Sequence, residues 1–215
     1  MVQNKLQKTP FPRLLLVSSG EEDPDDGSRL LEQLKLLSGL NSCLVQIREK
    51  QLTAQQLFFL AQKAREIELP EGTLLLINER TDIALATGLD GVHLPENAPP
   101  LDKLRPIGPE LLFGCSVHSV EYGRIAEESG ADYLLFGPVF DTPSKRKYGA
   151  PQGLEKLGDL CRNTTLPVFA IGGITPLNAL SCLDKGAYGT GALSIFREST
   201  GFIENIKKFN RILYP

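Results

Sequence analysis

The chain has 215 residues, 41% of them hydrophobic and 23% charged, which is enough apolar material for one compact core and too much for a disordered chain. A formal net charge of −3, from 23 Lys and Arg against 26 Asp and Glu with no concentrated basic stretch, argues against a nucleic acid as the partner. Residues 1–13 carry scattered lysines instead of an apolar leader, and no later run approaches the roughly 20 residues of a membrane span, so a cytoplasmic protein without a membrane partner is expected.

In chain order, short β-rich runs occur at residues 13–18, 43–47, 74–77, 91–94, 112–115, 133–136, 167–171 and 188–193. Between and after them lie stretches with helical spacing at 28–37, 53–67, 80–87, 120–129, 153–161, 176–184 and 202–209, while 101–104 gives about one turn before Pro106. Eight such βα repeats, with no linker or break in composition, predict a single closed α/β barrel, the (β/α)8 TIM barrel, in preference to a doubly wound sheet. One domain over residues 1–215 is expected, with residues 1–12 a flexible or peripheral lead. Cys43, Cys115, Cys161 and Cys182 lie far apart with no CxxC pair, which suggests neither a zinc site nor a disulfide framework.

In such a barrel the reacting groups come from the C-terminal strand ends and the loops after them. After the second strand, alternation puts Gln46 and Arg48 on one face and Lys50 in the loop, two cations suited to an anion, or else a solvated cluster with an internal Arg48–Glu49 pair. After the third, Asn78 and Glu79 offer an amide and a carboxylate, unless Asn78 only caps the helix near Arg80. His93 on the fourth strand reads as a packed core histidine or a catalyst. His118, just past the fifth strand, is placed for a mobile proton carrier or for a structural role.

A basic, Gly- and Pro-containing loop over residues 137–149 reads as a lid over an anion or as an ordinary surface loop. The seventh strand runs into Gly172 and Gly173, with Thr175 a candidate N-cap and Pro176 a candidate first helical residue. That arrangement makes a phosphate cradle at a helix start, or a plain strand-to-helix turn. A second glycine-rich strand end near Leu193 and Ser194 favours the cradle, because glycine-rich ends on the last two strands of a barrel form a recurrent phosphate site.

Together the segments QIREK (46–50), IN (77–78), DGVHL (90–94), SVHS (116–119), ADY (131–133), FGPVF (136–140), TPSK (142–145) and AIGGITP (170–176) resemble, in order, the superfamily uniting thiamine phosphate synthase with the TenI-type thiazole tautomerase. The resemblance implies a (β/α)8 barrel, often a homodimer, acting on a thiazole phosphate, with Gly172, Gly173, Leu193 and Ser194 at its phosphate. For the synthase branch it implies that Gln46, Arg48, Lys50, Asn78, Thr142, Ser144 and Lys145 bind a pyrimidine diphosphate, with Mg2+ as cofactor. The metal positions depart from that branch: Glu79 follows Asn78, and Pro95, Glu96, Asn97 and Ala98 replace its carboxylate-rich segment, which leaves Glu79 and Glu96 as the metal candidates. Weak or absent metal is therefore expected.

The Leu94-Pro95 ending and the segment around Ser116 resemble the TenI branch, which needs no cofactor. There His118 would move a proton on a dihydrothiazole phosphate, beside Arg48 and Lys145 as the other catalytic side chains and Ser116 among the substrate contacts. The TenI-like reading is placed first, the synthase second, and a phosphate-binding regulatory barrel without catalysis third.

Overall fold

The computed structural model describes residues 11–23, 28–142, 150–193 and 201–215. Its strands are β1 (Leu14–Val17), β2 (Leu44–Ile47), β3 (Leu74–Asn78), β4 (Gly91–Leu94), β5 (Leu112–Val117), β6 (Tyr133–Phe136), β7 (Val168–Ala170) and β8 (Gly189–Ala192). Its helices are α1 (Ser28–Lys35), α2 (Ala54–Arg65), α3 (Thr81–Thr87), α4 (Leu101–Leu104), α5 (Val120–Glu128), α6 (Gly153–Arg162), α7 (Ala179–Asp184) and α8 (Phe202–Leu213). Each strand pairs in parallel with its sequence neighbours and β8 closes on β1, so the sheet is the expected (β/α)8 barrel. No helix among the described residues is long and apolar enough to cross a membrane.

Strand alternation sorts the side chains into two cores. Leu14, Leu16, Val45, Ile47, Leu75, Ile77, Phe113 and Leu134 point outward and pack under the helices. Leu15, Val17, Leu44, Leu74, Leu76, Leu112, Tyr133, Leu135 and Phe169 point inward and fill the barrel. By the same parity Gln46, Asn78, His93 and Ser116 also point inward, at or one step from the C-terminal ends of their strands, so the interior is apolar below and polar at one mouth. Tyr133 fits only because its neighbour on β5 is Gly114: a Cβ there would lie 1.9 Å from the Tyr133 Cζ.

The opposite end is held by local devices. Asp90, just before β4, accepts from the Leu75 amide, and Asp132, just before β6, accepts from the Phe113 amide and from Arg105. The aspartates of the DGVHL and ADY segments thus peg strand starts. The Phe11 ring stands about 6 Å, centroid to centroid, from those of Tyr133, Phe169 and Tyr188 and plugs that end. Arg13 donates to the carbonyls of Tyr188 and Leu213, which ties the start of β1 to β8 and to α8. Thr53 and Gln56 form a reciprocal capping box that starts α2.

Candidate active site

The polar mouth is built first from β2 and β3. Gln46, buried, donates through Nε2 to Asn78 Oδ1 at 3.0 Å, and Asn78 Nδ2 donates to Glu79 Oε2 at 2.6 Å. Lys50 Nζ stands 3.5 Å from the same carboxylate oxygen. Asn78 is therefore not a helix cap: α3 begins after Arg80, with no side-chain cap, and the amide joins the rim instead. Glu79 has φ +64°, the left-handed region that costs a non-glycine residue roughly 1 kcal/mol or more. It is held there because its N–H donates to the His93 carbonyl while its own carbonyl and that of Asn78 accept from Thr81 and Arg80.

Glu49 does not form the internal pair with Arg48 that was the alternative reading of this segment. Its buried carboxylate turns toward the loop after β1, where Oε1 accepts from the Ser18 hydroxyl and from the Gly20 N–H at 3.0 Å, and Oε2 from the Glu22 N–H at 3.0 Å and from Gln51 Nε2. The Ser18 hydroxyl in turn accepts the Arg48 N–H at 2.8 Å. The loop after β1 and the backbone of the cationic segment are thus one hydrogen-bonded unit, and Arg48 is left half-buried beside Gly20 with no acidic partner in that unit.

Deeper in the mouth, His93 Nδ1 lies 2.9 Å from the Tyr133 hydroxyl and Nε2 lies 2.8 Å from Ser116 Oγ. Burial, reinforced by the neighbouring Arg48 guanidinium, pushes the His93 pKa down to about 3, so this imidazole is neutral and serves as a packed, hydrogen-bonded group. His118 is its opposite. Half-exposed one residue beyond β5, it places its N–H and its Nδ1 each 2.9 Å from Glu96 Oε2. The carboxylate orients the ring through Nδ1 and leaves Nε2 for exchange with a ligand.

At the end of β7, Gly172 and Gly173 have φ of +92° and +67°, and a Cβ on either would run into Pro138 or Phe140 of the segment after β6. Their lack of a side chain first serves close packing. The helix start also differs from expectation: residues 175–178 form a turn in which Asn178 Oδ1 accepts the Thr175 N–H, and α7 begins only at Ala179. Among the described residues the Thr175 hydroxyl makes no capping bond, and it is the Asn178 side chain that reaches back, accepting the Thr175 N–H and donating to the Gly173 carbonyl. Among the described residues, the N–H groups of Gly172, Gly173 and Ile174 meet no protein acceptor, which is what an oxyanion ligand needs.

Gly173, Leu193 and His118 all follow the C-terminal ends of their strands and so share one end of the barrel. Thr142 belongs to the same side and keeps a buried hydroxyl without a partner among the described residues. Ser144, Lys145 and Ser194 lie outside the described residues. A hollow of about 240 Å³ lined by Phe11, Leu112, Asp132 and Pro167 opens at the N-terminal strand ends, away from this chemistry.

Among the described residues no three His, Cys, Asp or Glu side chains gather as a metal cage. Mg2+ generally needs only one or two protein carboxylates when substrate phosphates supply the other oxygens. Glu79 and Glu96 each have a second carboxylate oxygen outside the hydrogen bonds described, so each has an oxygen of the kind such an ion takes.

A family model described as thiamine monophosphate synthase matches residues 14–195. The thiamine-phosphate synthase of Syntrophomonas wolfei subsp. wolfei is 37% identical over 188 residues, covering 86% of this chain and 90% of that protein. That of Desulfitobacterium hafniense (strain Y51) is 39% identical over 166 residues, covering 77% and 80%. Among solved structures, the thiamine phosphate pyrophosphorylase from Pyrococcus furiosus matches with a TM-score of 0.79 at 28% identity, over 99% of this chain and 98% of that one. (S)-3-O-geranylgeranylglyceryl phosphate synthase from Thermoplasma acidophilum, with a TM-score of 0.68 at 14% identity, shares the fold alone.

Proposed function

The chain belongs to the thiamine monophosphate synthase family, and we propose that it is itself a thiamine-phosphate synthase, a transferase joining hydroxymethylpyrimidine diphosphate to thiazole phosphate. This reverses the order expected from the sequence, because the relatives that align over most of the chain carry the synthase name. The observation that carries the reading is the rim of Gln46, Arg48, Lys50 and Asn78 on β2 and β3, at the same barrel end as the unengaged amides of Gly172, Gly173 and Ile174. One edge suits a diphosphate and the other a monophosphate.

In this reading the bond from the pyrimidine methylene carbon to the diphosphate oxygen breaks, the thiazole nitrogen forms a bond to that carbon, and diphosphate departs with both electrons of the broken bond. Arg48 and Lys50 stabilise the charge that grows on the leaving group, joined by Lys145, while Thr142 and Ser144 add hydroxyl contacts. Gly172, Gly173, Leu193 and Ser194 hold the thiazole phosphate so that its ring nitrogen meets the carbon. Glu79 and Glu96 are the residues that would hold Mg2+, which when bound supplies charge neutralisation for the diphosphate. The reading carries with it a one-domain cytoplasmic enzyme working as a homodimer.

The His118–Glu96 pair favours a second reading, the TenI-like tautomerase, in which His118 takes a proton from one ring position of a dihydrothiazole phosphate and returns it at another. One paired assay separates the two. The proposal expects diphosphate release that needs both substrates and Mg2+. No release, with metal-independent aromatisation that His118→Ala abolishes, overturns it in favour of the tautomerase. Phosphate-ligand binding without turnover in either assay leaves the regulatory barrel.

A further inference from the structure

Inside the barrel, below the mouth, Tyr133, His93 and Ser116 make a hydrogen-bonded chain across three neighbouring strands. Its direction follows from where each proton can go. The Tyr133 hydroxyl is wholly buried, and among the described residues its only hydrogen-bond partner is His93 Nδ1. Burial pushes its pKa well above the ordinary range, so it keeps its proton. If Nδ1 carried the imidazole proton, two hydrogens would meet across 2.9 Å unless the tyrosine O–H turned away, and nothing described there accepts it.

A buried donor left without an acceptor is disfavoured by roughly tenfold or more. The other arrangement satisfies every group: Tyr133 donates to Nδ1, the imidazole proton sits on Nε2, and Nε2–H donates to Ser116 Oγ. Ser116 is then an acceptor on its His93 side. Its own hydrogen is freed for the half-buried mouth, where a ligand can take it.

We propose that Tyr133 and His93 are positioning residues, a buried relay that fixes Ser116 as a hydrogen-bond donor to an oxygen or nitrogen acceptor on the bound substrate. The proposal rests on the reading that Ser116 contacts substrate, which the resemblance implied for the TenI branch and which we extend to the proposed synthase reaction. It also gives Gly114 a functional place, since without that glycine the Tyr133 ring could not stand beside the His93 ring, 5.7 Å away between centroids.

The tautomer is read on the full chain without any substrate. The sequence holds 2 histidines, so 15N-histidine labelling gives two imidazoles to assign. The relay expects His93 neutral with its proton on Nε2, and Tyr133→Phe, which keeps the ring and loses the hydroxyl, shifting population toward Nδ1–H. A wild-type proton on Nδ1, or no shift in Tyr133→Phe, overturns it.

Kinetics test the link to substrate. Ser116→Ala is expected to raise a substrate KM about tenfold with kcat changed less than about threefold, Tyr133→Phe to raise the same KM about three- to tenfold, and the double variant to match Ser116→Ala. Multiplying losses in the double variant would mean that Tyr133 acts by packing alone and overturn the proposal. An unchanged KM in Ser116→Ala would overturn it at Ser116, whereas wild-type diphosphate release in the same assay separately tests the proposed activity.

Discussion

Replacing Glu49 with alanine should cost this protein a large part of its stability, because the carboxylate it removes is the common acceptor of a loop from another strand. Two of its four donors can recover: the Ser18 hydroxyl can rotate, and Gln51 is exposed and can turn to water. The N–H groups of Gly20 and Glu22 are fixed by the backbone and lose their partner at a residue only 2% exposed. At about 1–3 kcal/mol for each of the two donors left unpaired, the expected loss is about 2–6 kcal/mol, a serious fraction of a typical 5–15 kcal/mol.

Glu49→Gln is the discriminating variant. It keeps one acceptor oxygen and sets an amide N–H against the donors on the other side, so about 1–3 kcal/mol is expected, less than for alanine. Urea unfolding at constant slope measures both, with the midpoint carrying the change. A Glu49→Ala protein within about 0.5 kcal/mol of wild type, or a glutamine variant as damaged as the alanine one, would refute the claim that this carboxylate organises the loop.

Two further perturbations test the barrel interior. Gly114→Ala drives a methyl group into the Tyr133 ring and should lose about 3 kcal/mol or more, with Tyr133→Leu in the same chain restoring part of it; a harmless single variant in thermal unfolding would contradict the packing. His93 has a folded pKa of about 3 against about 6.5 unfolded, so between those values the unfolded chain binds a proton that the folded one refuses. Its contribution is whole above pH 6.5 and falls by about 1.4 kcal/mol for each unit below. Wild type should therefore lose stability more steeply than His93→Gln between pH 6 and 4, and coincident slopes would show that the imidazole is not held neutral.

The order of elements was readable because a period of two followed by a helical period repeats along the chain, and both are local properties. The inward parity of Gln46 and the strand ends at Leu94 and Phe136 follow from the same rule. What escaped was set by contacts distant in sequence. The Glu49 carboxylate could pair with Arg48 beside it, and nothing within the segment says that three of its four partners sit 27 to 31 residues earlier. Tyr133 gave no sign of reaching His93, 40 residues away, because an inward tyrosine looks like any other core aromatic until the glycine opposite it is known. The start of α7 was missed as well: Thr175 and Pro176 make a sound local cap signal, but residues 175–178 form a turn closed by the Asn178 side chain and the helix begins at Ala179.

The seam between β1 and β8 also sets an order in time. Leu14 pairs with Thr190, and Arg13 reaches the Leu213 carbonyl 200 positions onward, so neither bond can form while the protein is still being translated through its middle. Until the final strand emerges from the ribosome, β1 presents a bare edge that a neighbouring nascent chain can extend. The exposure of that edge ends only with the arrival of residues 189–192.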